Sequence, residues 1–321
     1  MQRLLILVLF YVVLVPVTRA HEVTAPANIK DFQLEKVSRH IYVIHGPQAL
    51  PSPQTRGFMN NPGVILTPHG VIVVDPGSST EIAKELLKKV RAVSDKPVIA
   101  VFNTHVHGDH WLGNHAVREL YPKAPIYAHT RMIERVNSGE GEDWIKLFGR
   151  MTQGAVTGTK VVAPNIGLKG GERLIVDGIA LQIYHAGHAH TDHDLMIEVV
   201  EDHSMFCGDV VTANRVPNSD VPQDANFKGT ASAIKTMLSG HAQLFIPGHG
   251  RSGGREVPEA SLRFLNKLLF SVTKYYNQGL VDYEMKDKVV DDLVEYKDWN
   301  NFDEMGRVIS YVYQEVERDN F

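Results

Sequence analysis

Along the chain, the apolar positions come first as short runs and later as helical stripes. Residues 41–44, 63–66 and 70–75 are β-prone runs separated by Gly and Pro, and they read as neighbouring strands. From 80 to 93 the period changes, and Ile82, Leu86, Leu87 and Val90 fall on one face of a helix. Residues 98–102 form a further strand that stops just before His105, followed by a short helix over 116–120 and a strand over 126–128. Strands resume at 174–176, 181–184, 195–200 and 205–206, then a helix over 231–238 and a last strand over 244–246. From Pro258 onward apolar residues recur at helical intervals, among them Leu265, Leu268, Val289, Leu293, Val308 and Val312, so the tail is helical and needs a surface to bury against. Strands followed by a helix occur twice, which makes this an α/β chain. No linker is sharp enough to demand a separate domain.

Residues 137–171 break the pattern. Eight glycines surround the aromatic pair Trp144 and Phe148, so the segment is irregular or a short helix between loops. It either flanks a substrate or simply connects two half-domains.

The first 20 residues carry Arg3, an apolar stretch over 4–17 and a small-residue end at Thr18-Arg19-Ala20, the layout of an export signal. As a helix the apolar stretch would span about 21 Å of a hydrocarbon core about 30 Å thick, which disfavours the alternative of a retained anchor. Cleavage after Ala20 removes two arginines and no acids, taking the net charge from −4 to −6. The expectation is a periplasmic or secreted protein with no stable membrane insertion. Without a basic surplus, nucleic acid is not an expected partner. The single cysteine, Cys207, rules out an intramolecular disulfide; it reads as a buried apolar residue, or as a neighbour of a metal site through the adjoining Gly208-Asp209. Residues 250–255 lack the spacing of a nucleotide fingerprint.

What the composition adds is histidine. Of 16, nine fall between 105 and 115 or between 185 and 203. The segment Asn103-Thr104-His105-Val106-His107-Gly108-Asp109-His110-Trp111 puts three imidazoles and a carboxylate within six residues, directly after a strand. His105 and His107 can face one ion, and Asp109 and His110 can swing to a second. Imidazole and carboxylate donors suit zinc and tolerate iron or manganese, and the absence of a thiolate cluster argues against a structural cysteine site. The loops 187–194 and 247–250 offer further histidines. Asp209, at a strand end beside Gly208, can bridge two ions or act as an ordinary turn acid.

The run His105-Val106-His107-Gly108-Asp109-His110 resembles the His-x-His-x-Asp-His hallmark of the metallo-β-lactamase superfamily, and the resemblance extends over about residues 38–250, with Val74-Asp75-Pro76-Gly77 similar to the family's early strand and turn. It implies an αββα sandwich over 21–255, with the helical extension 256–321 packed on it. It also implies His105 and His107 as ligands of a first zinc and Asp109, His110 and His249 as ligands of a second. His190 or His188 would complete the first set, with His190 preferred, and Asp209 would bridge. Asp209 stands where one subclass of zinc β-lactamases carries cysteine, and Thr212 is nearest to the lysine expected there, which weakens an antibiotic-hydrolysing reading. Arg215 reads as a solvated loop cation, with anion binding as the alternative. His115 and His129 read as structural, His185 and His193 as contacts behind the ligands or to substrate, and Trp111 as core or pocket wall.

A metal-bound water loses its proton near neutral pH. The expected activity is therefore hydrolysis of an ester, lactone, thioester or amide of a small molecule, with Asp109 fixing the second ion and handling a proton. β-Lactamase activity, iron-dependent redox chemistry and metal binding without catalysis are the alternatives; a redox member would normally carry a flavin module, and none is visible. The helical extension could cover the pocket or make a homodimer contact.

Overall fold

The computed structural model describes residues 28–217 and 224–320; the export-signal reading of 1–20 lies outside them. Among the described residues, twelve strands form two sheets. The first holds β1 (Glu35–Lys36), β2 (Ile41–Val43), β3 (Gly63–Leu66), β4 (Val71–Val74), β5 (Val98–Phe102), β6 (Ile126–His129) and β7 (Ile166–Leu168) in chain order. Its β1 to β4 are antiparallel, and β4 to β7 run parallel. The second sheet, in the order β12-β11-β10-β9-β8, holds β8 (Arg173–Val176), β9 (Ile179–Tyr184), β10 (Met196–Val199), β11 (Ser204–Thr212) and β12 (Leu244–His249). Only its β11–β12 pair is parallel.

The inner strands β3 to β5 and β10 to β12 are covered on both faces, which is why they read as unbroken apolar runs, whereas β1, β7 and β8 at the edges are largely exposed. In β4, Ile72 and Val74 point into the layer between the sheets with Phe102, Ile197, Phe206 and Ile246. Val71 and Val73 point the other way, against Ile82, Leu86 and Val90 of α1 (Thr80–Arg91) and Val117 of α3 (Asn114–Leu120). Across the second sheet, Met205 and Cys207 of β11 meet α6 (Phe227–Ser239) and the helical tail, α7 (Glu256–Tyr276), α8 (Asp282–Asp292) and α9 (Met305–Arg318). The layers are therefore helix, sheet, sheet, helix, and Cys207 is fully buried.

The tail shares one hydrophobic cluster with α6 and β11: Phe264, Leu268, Val289, Val308 and Val312 are all at or below 1% exposure. It is also tied by a polar contact. Glu315 of α9 is 5% exposed and accepts from the backbone N–H groups of Phe227 and Lys228, two donors at the start of α6 that have no partner within the helix. Asn226 caps the next one, Gly229.

Several elements exceed the sequence expectation. β11 continues to Thr212, β1 and β7 were not expected, and neither were α2 (Gly108–Trp111) or α4 (Thr130–Arg135). All but β11 are short and gain order from tertiary contacts, so they leave little periodicity to read. The glycine-rich stretch forms α5 (Gly141–Met151), whose Trp144 and Phe148 are buried with Trp111 and Val156.

Candidate metal centre

The carboxyl ends of β4, β5 and β12 supply Asp75, the 105–110 segment and His249, whereas Asp209, expected at a strand end, comes from within β11, three residues before its end. The ladder between β11 and β12 shifts register on both sides of Gly208, which sits at φ +52. This bulge turns Asp209 toward the other donors. A Cβ on Gly208 would come within 2.9 Å of Thr104, so glycine here lets the second sheet approach the end of β5, and one on Gly248 would lie 1.8 Å from Asp209 Oδ1, so glycine there leaves room for that carboxylate.

Three groups of donors result, each with ligand atoms within 4.8 Å of one another: His105, His107 and His190; His105, His110 and Asp209; and Asp109, His110 and His249. His190 Nε2 lies 2.9 Å from His107 Nδ1. His110 Nε2 lies 3.2 Å from both Asp109 and Asp209, and His249 Nε2 is 3.2 Å from the same two carboxylates. Asp209 also approaches His190 at 3.8 Å and so stands between the two sets. His188 is elsewhere, its Nε2 2.6 Å from the Asp224 carbonyl.

The ring orientations are set from behind. His110 Nδ1 donates to Asp75 Oδ2 at 2.8 Å, His249 Nδ1 to the Met59 carbonyl at 2.9 Å, and His105 Nδ1 to Thr104 Oγ1 at 3.0 Å. The hydroxyl of Thr104 donates in turn to Asp75. With Nδ1 spent in this way, each Nε2 presents a lone pair. On His107 the roles are reversed: Nδ1 faces His190, while Nε2 lies 3.5 Å from Asp224, itself gripped by Arg135. Asn61 steadies the β12 turn by donating to the carbonyls of Pro247 and Gly250.

Charge follows the same division. Burial, with His110 and His107 nearby, holds His105 well below the usual imidazole range, and burial with His107 takes His190 down to about 3. Burial would raise the Asp109 and Asp209 carboxyls, but His110 and His249 keep both well below the usual range. Burial opposes charge on His110 too, yet Asp109, Asp209 and Asp75 raise it well above the ordinary value. Within the cluster His105 Nε2, His110 Nε2 and Asp209 Oδ1 are buried and make no hydrogen bond of good geometry, the last two lying 3.2 Å apart. Ring nitrogens and ionised carboxylates crowded together in a buried cluster are what a cation satisfies, so the residues fit metal binding.

The histidines read as structural or as contacts behind the ligands have partners. His193 Nε2 accepts from the Val106 N–H, His115 Nδ1 pairs with Thr80, and His129 caps α4 and stacks beside His185 at 4.4 Å. Trp111 is core, at 0% exposure, with its Nε1 donating to the Val106 carbonyl; Trp144 is the indole that lines the cleft. Arg215 corrects the sequence reading: it is 5% exposed, lines the cleft, and is held by the Asn301 amide oxygen 3.0 Å from Nε. A partner 86 positions away could not be read from the loop's own sequence. Asp75, Asp224 and Arg135 were likewise missed as site residues, although the Asp75-Pro76-Gly77 turn after a buried strand was a usable signal.

A four-layer αββα fold with a histidine and carboxylate cluster at its sheet ends defines a class of metal-binding hydrolases. Residues 55–249 match the Metallo-beta-lactamase superfamily, and the chain belongs to it. It is similar to the linear primary-alkylsulfatase of a Pseudomonas species, 24% identical over 70% of this chain and 49% of the relative, so it spans about half that protein's length. It is 23% identical to the metallo-beta-lactamase IND-1 of Chryseobacterium indologenes, over 76% of this chain and 92% of that one. In three dimensions it superposes on a metallo-beta-lactamase from Pontibacter korlensis with a TM-score of 0.59 and 18% identity, covering 73% of this chain and 99% of the other.

Proposed function

We propose that the protein hydrolyses an ester, lactone, thioester or amide with two zinc ions, one held by His105, His107 and His190 and the other by Asp109, His110 and His249, with Asp209 between them. The convergence of buried imidazole nitrogens and ionised carboxylates beside one cleft carries this reading. The ions would supply hydroxide at neutral pH and polarise the bond to be cleaved.

The chain's own residues supply the rest. Asp109 lines the cleft and, being ionised, accepts the proton of the attacking water and returns it to the leaving oxygen, sulfur or nitrogen. Asp75, Thr104 and the Met59 carbonyl keep His105, His110 and His249 in one tautomer. The cleft opens to solvent beside the donors, so a small molecule can reach them.

A second reading, cleavage of a sulfate monoester, is favoured by Arg215 at the cleft edge and by the alkylsulfatase similarity. The test is metal analysis of the purified protein, joined to a hydrolysis screen over ester, lactone, thioester, β-lactam and alkyl sulfate substrates. Two zinc ions per chain and acyl turnover lost in Asp109→Asn are expected. Turnover of sulfate esters alone would favour the second reading, and no turnover of any substrate would refute both. No helix among the described residues is long and apolar enough to cross a membrane, and the N-terminal pattern supports export.

A further inference from the structure

Beyond the polar donors, the cleft has a wall that the hydrolytic chemistry does not use. Leu50 and Pro51 line it on one side, and Trp144, Leu147, Phe148 and Met151 of α5 on the other. The four α5 residues fall at intervals of three, four and seven, so they form one face of the helix. The opposite face, with Glu142, Asp143, Lys146 and Arg150, is exposed.

Two of the four are anchored. Trp144 and Phe148 are 8% and 2% exposed within the cluster that contains Trp111, and Trp144 Nε1 donates to Glu140 at 3.3 Å. Leu147 packs against the same cluster but, like Met151, is only partly buried, and Leu50 is 42% exposed. A helix face meant only for packing would be covered along its length. Here apolar side chains stay open next to a cluster of ligands, and the wall starts at the ligands themselves, since the Trp144 ring lies 5.0 Å from that of His107. From Trp144 to Met151 the stripe runs seven residues, about 10 Å. It carries no charged or hydrogen-bonding side chain to satisfy a polar group except the indole N–H, which Glu140 already engages.

We propose that the substrate carries an uncharged apolar arm about 10 Å long, a medium-chain alkyl or flat aromatic group, that lies along α5 with its scissile bond at the metal cluster. The proposal rests on the hydrolase reading and narrows its substrate class. Substrates whose corresponding arm is charged, such as a dicarboxylate or a peptide, are disfavoured because the wall would strip their water without replacing its hydrogen bonds.

The test uses the full zinc-loaded protein and p-nitrophenyl esters from acetate to octanoate. Burying a methylene fully is worth about fourfold in binding, and on a one-sided wall about half that factor is expected for each carbon, or on the order of 50-fold in kcat/KM across the series. Leu147→Gln and Met151→Gln, both at partly exposed positions, should flatten the slope, mainly through KM for the longer esters. An independent readout is octanoate binding followed by tryptophan fluorescence, with Trp144→Phe removing the signal. If no ester is turned over, the hydrolase reading fails, but octanoate binding that weakens at least fivefold in Leu147→Gln still supports the apolar site. A flat chain-length profile in the parent protein, or no octanoate binding, overturns the proposal. So does a dimer that Leu147→Gln converts to monomer, since the wall would then be a contact between copies.

Discussion

Asp75→Asn tests how far the centre depends on a residue that need not touch an ion. Asp75 is 4% exposed and accepts three hydrogen bonds, from the Thr104 N–H at 2.8 Å, the Thr104 hydroxyl at 2.7 Å and His110 Nδ1 at 2.8 Å. Its φ is +51, a left-handed conformation that asparagine tolerates, so the substitution changes charge and acceptor number with little added backbone strain. The new amide has one oxygen for three donors, and its NH2 faces either Thr104 or His110. Each hydrogen bond to a charged group is worth about 1.5–3 kcal/mol, so losing at least one should cost that much stability. Loss of the carboxylate that orients a metal-binding histidine should weaken metal affinity by about 10- to 100-fold. Competition with a zinc chelator, read alongside urea denaturation, measures both quantities. Asp75→Ala adds the strain of a left-handed alanine, about 1–2 kcal/mol, and should unfold more readily than Asp75→Asn while binding zinc no better. If Asp75→Asn bound zinc as the parent does, the argument that Asp75 sets the His110 tautomer would be wrong.

Two further outcomes follow from the same contacts. Glu315→Ala leaves the N–H groups of Phe227 and Lys228 without an acceptor at the buried start of α6 and should cost about 1–3 kcal/mol in chemical denaturation; an unchanged midpoint would mean the tail is not held by that contact. Burial, with Arg135 and His107 adding to it, takes His193 down to about 4 against the pull of Asp192, and its Nε2 accepts from the Val106 N–H. The unfolded chain therefore binds a proton there that the folded one refuses, and stability is lost as pH falls from about 6.5 toward 4. Between pH 7.5 and 5 the parent should lose about 2 kcal/mol more than His193→Gln, and equal losses in the two proteins would rule His193 out as the source.

The sequence by itself determined the local facts. Apolar runs of β type located β2 to β5, the stripe from Ile82 to Val90 located α1, and the spacing of His105, His107, Asp109 and His110 marked a metal segment, because strand alternation, helix period and ligand spacing are all short-range properties. Tertiary structure decided what depends on distant partners. It chose His190 over His188, since only one of the two loop histidines reaches His107. It placed Asp209 between two donor groups by a bulge at Gly208 that packs against Thr104, two residues past β5 of the other sheet. It buried Arg215 beside the cleft through Asn301 in the tail and turned the glycine-rich stretch into a helix whose apolar face lines the pocket. A side chain's chemistry is carried by its own residue, but its burial and partners are set where separate segments of chain meet, and in this protein the site is built almost entirely at such meetings.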